Sequence, residues 1–121
     1  MLSEKAKSSA LIGSDRVEGT AVYGTKGEKI GAVERVLIEK RSGQARDVEI
    51  SVGSFLGMGG TLHSLPWDKF DYDTELGGYR LDVTEDQLKG APSYRENERD
   101  MAHDRDYRSR SYDYWSVSRY W

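Results

Sequence analysis

The chain has 121 residues, a net charge of −3 at neutral pH and no cysteine. This length fits one folded domain, and 36% hydrophobic against 32% charged residues predicts that only part of the chain builds a core. The charge balance excludes a global positive field that would draw the protein onto nucleic acid or an anionic membrane. The lack of cysteine excludes disulfides, thiolate nucleophiles and Cys-containing zinc sites.

The N-terminus is polar from Met1 to Lys7, and the apolar residues that follow, 10–12, are too few for a signal peptide or a membrane helix. We therefore expect a soluble protein of the reducing cytoplasm. The expected organisation is an N-terminal extension over 1–10, one folded domain over 11–94 and a C-terminal tail over 95–121.

Short β-rich runs separated by glycines predict an all-β sandwich or barrel. The first run, 17–23, predicts a strand with Val17, Gly19, Ala21 and Tyr23 on one face. The glycine-containing segment 24–27 then predicts a turn.

A hairpin is predicted over Ile30 to Val52, with its turn at 41–44. Alternation fails at Glu34 and Arg35, and a β-bulge there would restore the phase. The second strand alternates cleanly, which predicts Val48, Ile50 and Val52 inward and Asp47, Glu49 and Ser51 outward.

After a glycine-rich loop over 53–60, a strand is expected at 61–65, placed at an edge or ended by Pro66. A further β pair is predicted from Phe70 to Val83. The sequence 84–87, Thr-Glu-Asp-Gln, has the form of a capping box and predicts one short helical turn that closes the domain.

This ordered set of segments resembles the PRC-barrel family, which includes the photosynthetic reaction-centre H subunits and the ribosome-maturation factor RimM. The segments that carry the resemblance are 27–34 (GEKIGAVE), the turn 42–43 (SG), 52–59 (VGSFLGMG), 65–68 (LPWD), 84–88 (TEDQL) and 91–94 (APSY). The resemblance implies a small twisted β-barrel that serves as a protein-interaction or assembly module, without a catalytic centre common to the family.

Two departures limit what this resemblance carries over. An H subunit has a membrane helix before its barrel, and RimM has a whole preceding domain, whereas this sequence shows neither. The expectation is a free-standing bacterial member of the family.

The histidines, acidic residues and serines of the sequence predict no catalytic, metal or cofactor site. His63 and His103 are far apart in sequence, which is a poor metal spacing, and we expect His63 in a strand and His103 on a solvated tail. Asp68, Asp71 and Asp73 form an acidic cluster with Glu75, but the cluster lacks the calcium-loop pattern and predicts a solvated turn. No serine lies in a nucleophile elbow, so an enzyme is not expected.

Two segments are predicted to contact a protein partner. The loop residues Phe55, Leu56 and Met58 are apolar, and they form either a contact surface or a plug beneath the barrel. The tail interleaves arginines with aromatic residues, and its candidate contact residues are Tyr107, Tyr112, Tyr114, Trp115, Tyr120 and Trp121.

Three destinations for the tail remain open at this stage. Docking onto its own or a second barrel is favoured, because Trp, Tyr and Arg are enriched at interface hot spots. Stacking on unpaired RNA bases is the rival, weakened by six acids that balance the six tail arginines. Packing back over the chain's own sheet edge is the purely structural alternative.

The sequence thus predicts a non-catalytic protein-interaction module that self-associates, as a dimer through barrel edges and tail. The alternative function is an RNA-binding or ribosome-assembly factor. A small-molecule sensor is a third reading, disfavoured because the interior of so small a barrel is filled by side chains.

Overall fold

The computed structural model describes residues 9–53 and 60–121. The elements, in chain order, are helix α1 (Ser14–Val17), strands β1 (Ala21–Tyr23), β2 (Lys29–Ile38), β3 (Ala45–Val52) and β4 (Thr61–Pro66), a 3-10 turn (Trp67–Lys69), strands β5 (Phe70–Asp73) and β6 (Gly78–Leu81), helix α2 (Glu85–Gly90), a 3-10 segment (Glu96–His103) and helix α3 (Arg105–Tyr114). Within this described part, no helix has the length and apolar content to cross a membrane.

The strands form a six-stranded sheet in the order β4-β3-β2-β1-β6-β5. All neighbours are antiparallel except β1 and β6, which run parallel. The sheet curls into a half-barrel around one core, to which every strand contributes, and α2 closes it. The predicted small all-β barrel is confirmed, and its core includes Val22, Ile30, Val33, Val48, Ile50, Leu65, Phe70, Tyr79, Leu81 and Leu88.

The predicted hairpin and its bulge are both present. Strands β2 and β3 pair antiparallel, and the register shifts between the pairs Val33–Ile50 and Arg35–Glu49, which leaves Glu34 unpaired. Because of this extra residue, Val33 and Val36 face the same side of the sheet although they are three positions apart, and both contribute to the core.

The predicted first strand, 17–23, is confirmed only for its last three residues. Val17 ends a short helix, Gly19 adopts the left-handed conformation with φ of +82°, and the strand starts only at Ala21. This break in the two-residue period shifts the inward face, so Val22 is fully buried while Ala21 and Tyr23 are half-buried.

The capping box is confirmed at the start of α2. The Thr84 hydroxyl accepts from the Gln87 N–H at 3.1 Å, and the Gln87 side chain accepts from the Thr84 N–H at 2.8 Å. Val83 and Leu88, on either side of the cap, are both buried in the core. The cap therefore fixes where the chain leaves the sheet and turns towards the tail.

The prediction that Asp47 and Glu49 face outward on β3 is confirmed, but neither side chain is exposed to solvent. Both lie on the outer face of β3, yet they are only 3% and 0% exposed. The tail covers this outer face, and a strand's own alternation does not reveal what a later segment will cover.

Candidate protein-interaction surfaces

Glu49 is the centre of a buried charge cluster that joins the tail to the sheet. Its carboxylate accepts two hydrogen bonds from Arg35 of β2, both at 3.1 Å. Arg99 of the tail donates through Nε at 3.1 Å and through a terminal nitrogen at 2.5 Å, and the hydroxyl of Tyr94, the residue just before the tail, donates at 2.5 Å. Both oxygens of this carboxylate therefore accept hydrogen bonds, and every donor is an arginine or a tyrosine hydroxyl.

These contacts set the protonation of both partners. Burial by itself raises the pKa of Glu49, but the hydrogen bonds from Tyr94, Arg99 and Arg35 outweigh it and hold this pKa below its usual value. Burial raises the pKa of Tyr94, and its hydrogen bond to the Glu49 carboxylate raises it further. The pair is therefore an ionised carboxylate facing a neutral phenol at physiological pH.

Asp47 forms a second connection between β3 and the tail. Arg108 of α3 donates to it through Nε at 2.6 Å, and the Tyr112 hydroxyl donates at 2.7 Å. Burial acts to lower the pKa of Arg108, but the hydrogen bond to Asp47 raises it above its usual value overall. Because both acids face tail arginines, the outer face of β3 is matched in charge to the segment that covers it.

The tail and Tyr94, the residue just before it, also close the free edge of β4. The backbone N–H and C=O of Leu62 pair with those of Tyr94 at 2.9 and 3.0 Å. The Ser64 N–H donates to the Tyr107 hydroxyl at 3.1 Å, and the Ser64 carbonyl accepts from the Ser111 hydroxyl at 2.7 Å. The next outward position is Pro66, which has no N–H to leave unpaired. This edge is therefore unavailable to another strand.

The last residues of the chain form an arginine-aromatic stack beside Asp47. The Arg46 guanidinium lies 3.8 Å from the ring centre of Tyr120, and that of Arg108 lies 4.6 Å from Trp121. Arg108 also donates to the Tyr120 hydroxyl at 2.7 Å. The stack holds the C-terminus against the end of α3, while Tyr120 and Trp121 stay 39% and 37% exposed.

At the opposite edge of the sheet, β5 pairs only with β6 among residues 9–53 and 60–121, so its outer side has no strand partner there. Beside it runs a groove of about 550 Å³, walled on one side by residues 9–13 and on the other by aromatic rings. The rings of Trp67, Phe70 and Tyr72 all pack around Tyr79, with centre distances of 5.8, 6.1 and 5.2 Å. Tyr72 remains 48% exposed. An open edge beside an aromatic groove is a surface that accepts an extended chain.

The other wall of this groove is aliphatic. Leu11 and Ile12 are 84% and 44% exposed, and they face no cover within the described residues. Arg16 of α1 is the charged side chain among the groove's lining residues. The combination of exposed aliphatic and aromatic groups at one site is typical of a protein contact surface.

The tail residues predicted to contact a partner divide into two groups. Tyr107, Tyr112 and Trp115 are buried against the chain's own sheet, whereas Tyr114 is 41% exposed and lies with Tyr120 and Trp121 on the surface. Of the three destinations left open for the tail, the structure therefore shows packing over its own barrel and sheet edge.

The loop prediction for Phe55, Leu56 and Met58 lies outside the described residues. His63 is buried on the core face of β4, with Nδ1 3.1 Å from the Pro92 carbonyl oxygen, and burial lowers its pKa. His103 is exposed on the tail, as expected. Asp68, Asp71 and Glu75 are exposed and Asp73 is half-buried.

Sequence reasoning missed the residues that bind the tail and line the groove. Glu49 was placed on the outward face with no partner, and Tyr94 and Trp67 were noted only as part of the family resemblance. A weak signal was available in β3, where two acids alternate with apolar residues opposite an arginine-rich tail. Nothing local distinguishes such acids from ordinary surface carboxylates.

The fold and these surfaces define a small β-barrel domain whose own C-terminal segment covers one sheet edge and leaves the other free. Residues 11–88 match the model of the PRC-barrel domain. The chain therefore belongs to the PRC-barrel family, as the sequence resemblance predicted.

Two individual similarities accompany this match. A Deinococcus radiodurans protein described as uncharacterised is 32% identical over 77 residues, which are 64% of this chain and 27% of that protein. The chain thus spans about a quarter of the length of this curated relative. The crystal structure of a 16S ribosomal RNA processing protein, RimM, from Pseudomonas aeruginosa superposes with a TM-score of 0.42 at 17% identity, over 65% of this chain and 48% of the other.

Proposed function

We propose that this chain is a non-catalytic protein-interaction and assembly module that binds its partner at the β5 edge and the adjoining aromatic groove. The observation that carries the proposal is the contrast between the two edges of the sheet. The β4 edge has its backbone groups paired by the tail, whereas β5 borders exposed Tyr72, Leu11 and Ile12. Membership of the PRC-barrel family supports a role in assembly.

Self-association as a dimer remains a prediction of this proposal. The tail aromatics that suggested it are divided, since Tyr107, Tyr112 and Trp115 pack within the chain and Tyr114, Tyr120 and Trp121 stay at the surface. A dimer formed through the barrel edges or the tail would therefore use these exposed rings or the β5 edge, because the β4 edge is already occupied.

The RNA-binding alternative has less support from the contacts. Four of the six tail arginines are paired with carboxylates, and two of these carboxylates are buried. Arginines held in this way are less free to contact phosphates. Salt-dependent fluorescence anisotropy with labelled single-stranded RNA decides this alternative, and the absence of binding at low salt eliminates it.

The proposal is tested by site-specific photo-crosslinking in the native cell. A benzophenone amino acid replaces Tyr72 in the groove, Tyr114 on the tail or, as a control, Ile38, which is 54% exposed at the end of β2. We expect a discrete protein adduct from position 72 and none from position 38. An adduct with a second copy of the chain supports the dimer, and a nuclease-sensitive adduct from position 114 supports RNA binding. Absence of adducts from both 72 and 114 contradicts the proposal.

A further inference from the structure

The two faces of β5 carry different chemistry. Phe70 and Tyr72 point to the groove, where both pack on Tyr79. Since successive side chains of a strand alternate, Asp71 and Asp73 point to the opposite, solvent-facing side. On that side, Arg80 of β6 lies directly opposite Asp71, and the Nε of Arg80 is 3.8 Å from the Oδ2 of Asp73. One arginine against two aspartates leaves this side of the edge negative.

Further charges lie at both ends of the strand. Exposed Glu75 follows it, and exposed Asp68 precedes it next to half-buried Lys69, whose Nζ lies 5.9 Å from the centre of the Trp115 ring. Arg16 stands on the far wall of the groove, on the side that Phe70 and Tyr72 face. The strand therefore presents an apolar side towards the groove and an acidic side away from it.

This pattern opposes pairing of β5 with a second copy of itself. In a two-fold antiparallel pairing, the residue at the centre faces its own copy and its neighbours face each other across the axis. Centring the pair on Asp71 places Asp71 opposite itself, and centring it on Tyr72 places Asp71 opposite Asp73 of the other copy. Like charges directly opposite one another destabilise a sheet, so both registers are unfavourable.

We propose that β5 binds an extended segment of a different protein in which apolar residues alternate with lysine or arginine. This inference rests on the proposed function and adds the chemistry of the partner. The bound segment extends the sheet as a seventh strand and forms backbone hydrogen bonds with β5. Its apolar residues enter the groove beside Tyr72, and its basic residues lie on the other face, opposite Asp71 and Asp73.

The test uses the full chain and three synthetic eight-residue peptides. The probe alternates lysine and valine, a charge control alternates glutamate and valine, and a backbone control carries N-methyl groups on alternate residues of the lysine peptide. N-methyl groups on the side of the peptide that faces β5 remove the backbone N–H donors of the peptide but leave the charges of its lysines unchanged. Binding is followed by amide chemical shifts of the isotope-labelled protein. We expect the lysine peptide alone to shift the amides of 70–73.

Substitutions on β5 then locate the charge effect. The double variant Asp71→Asn with Asp73→Asn removes both charges, and asparagine keeps the side-chain acceptor that Asp73 offers to the N–H groups of Glu75 and Leu76. We expect this variant to bind the lysine peptide about two- to fivefold more weakly at low salt. We expect Asp71→Lys to exchange the preference, so that the glutamate peptide binds better than the lysine peptide.

The outcomes separate this inference from the proposed function. Equal binding of the lysine peptide and its N-methylated form, or no effect of the aspartate substitutions, overturns the inference, because binding then does not depend on the edge or its charges. Shifts that move to other strands overturn it as well. If position 72 still forms a protein adduct in cells, the chain remains an interaction module with a partner of other chemistry.

Discussion

Glu49 and Tyr94 lie 45 residues apart in the chain and share a hydrogen bond of 2.5 Å at the boundary between sheet and tail. The carboxylate is fully buried and the ring is 3% exposed, so this contact is made only when the tail is docked. It provides a sensitive point at which to test how strongly the tail is held.

Removal of the Tyr94 hydroxyl should loosen the tail without creating a cavity. We expect Tyr94→Phe to lower the free energy of unfolding by about 1.5 to 3 kcal/mol, the usual worth of a hydrogen bond to a charged group. Denaturant titration measures the loss. Tyr72→Phe is the matched control, because that half-exposed ring lies in the groove and not at the tail. Equal losses for the two variants would contradict the assigned role of Tyr94.

The buried carboxylate also predicts how stability depends on acid pH. The pKa of Glu49 is lower in the folded chain than its usual value of about 4.3. Its contribution is therefore complete above that usual value and is lost as the pH falls through the lower, folded pKa. Thermal unfolding between neutral pH and about pH 2 should show this loss. Glu49→Gln should be less stable at neutral pH, and its stability should fall less steeply as the pH is lowered. An unchanged slope of stability against pH would show that Glu49 does not cause the acid dependence.

Buried tyrosines predict a matching effect at alkaline pH. Burial raises the pKa of Tyr107 to about 12, and burial likewise raises those of Tyr79, Tyr94 and Tyr112. Because unfolded tyrosines ionise near pH 10, stability should fall as the pH rises above about 10. Tyrosinate absorbance followed together with circular dichroism checks this. Ionisation of all eight tyrosines while the fold stays intact would be the contrary result.

Loss of the tail should expose the β4 edge. A chain that ends at Pro92 lacks Tyr94, Tyr107 and Ser111, which pair the outward backbone groups of Leu62 and Ser64. We expect this variant to self-associate at concentrations where the full chain does not, as measured by light scattering. Adding Leu62→Lys to the shortened chain should restore solubility, since an edge lysine opposes strand pairing. Failure of the lysine to restore it would point to exposed apolar surface instead.

The β5 edge can be turned into a self-complementary one by a single substitution. In Asp71→Lys, the register centred on Tyr72 brings the introduced lysine of each copy opposite Asp73 of the other. Replacing two repulsive contacts by two attractive ones should strengthen dimerisation by about tenfold at low salt. Sedimentation equilibrium measures this, with Asp71→Lys plus Asp73→Asn as the control that removes the attraction. A monomeric single variant would show that the edge is blocked by something other than charge.

The sequence predicted those parts of the fold that depend on neighbours along the chain. The hairpin of β2 and β3, its bulge at Glu34 and the capping box at Thr84 are all local patterns, and all are confirmed. The first strand was predicted to begin too early, because a short helix ends at Val17 and the left-handed Gly19 interrupts the alternation before the strand starts at Ala21.

The surfaces were harder to predict because they depend on contacts between distant segments. Glu49 reads as a surface acid in its own strand, and only the docked Arg99 and Tyr94 make it a buried one. The aromatic content of the tail correctly indicated docking, but the choice between its own barrel and another lay outside any local pattern. The family resemblance identified the barrel, but it did not show that the β4 edge is covered and that the β5 edge lies beside a groove.

The closed β4 edge has a consequence for biosynthesis. The tail is translated after the barrel, and domains form from the N-terminus onwards as the chain emerges. Nascent molecules therefore pass through an interval in which Leu62 and Ser64 offer unpaired backbone groups to neighbouring chains on the same messenger RNA. Translation pauses beyond Pro92 would lengthen that interval, and a premature stop codon there would leave the edge unpaired permanently, so the demand for chaperones should rise in both cases.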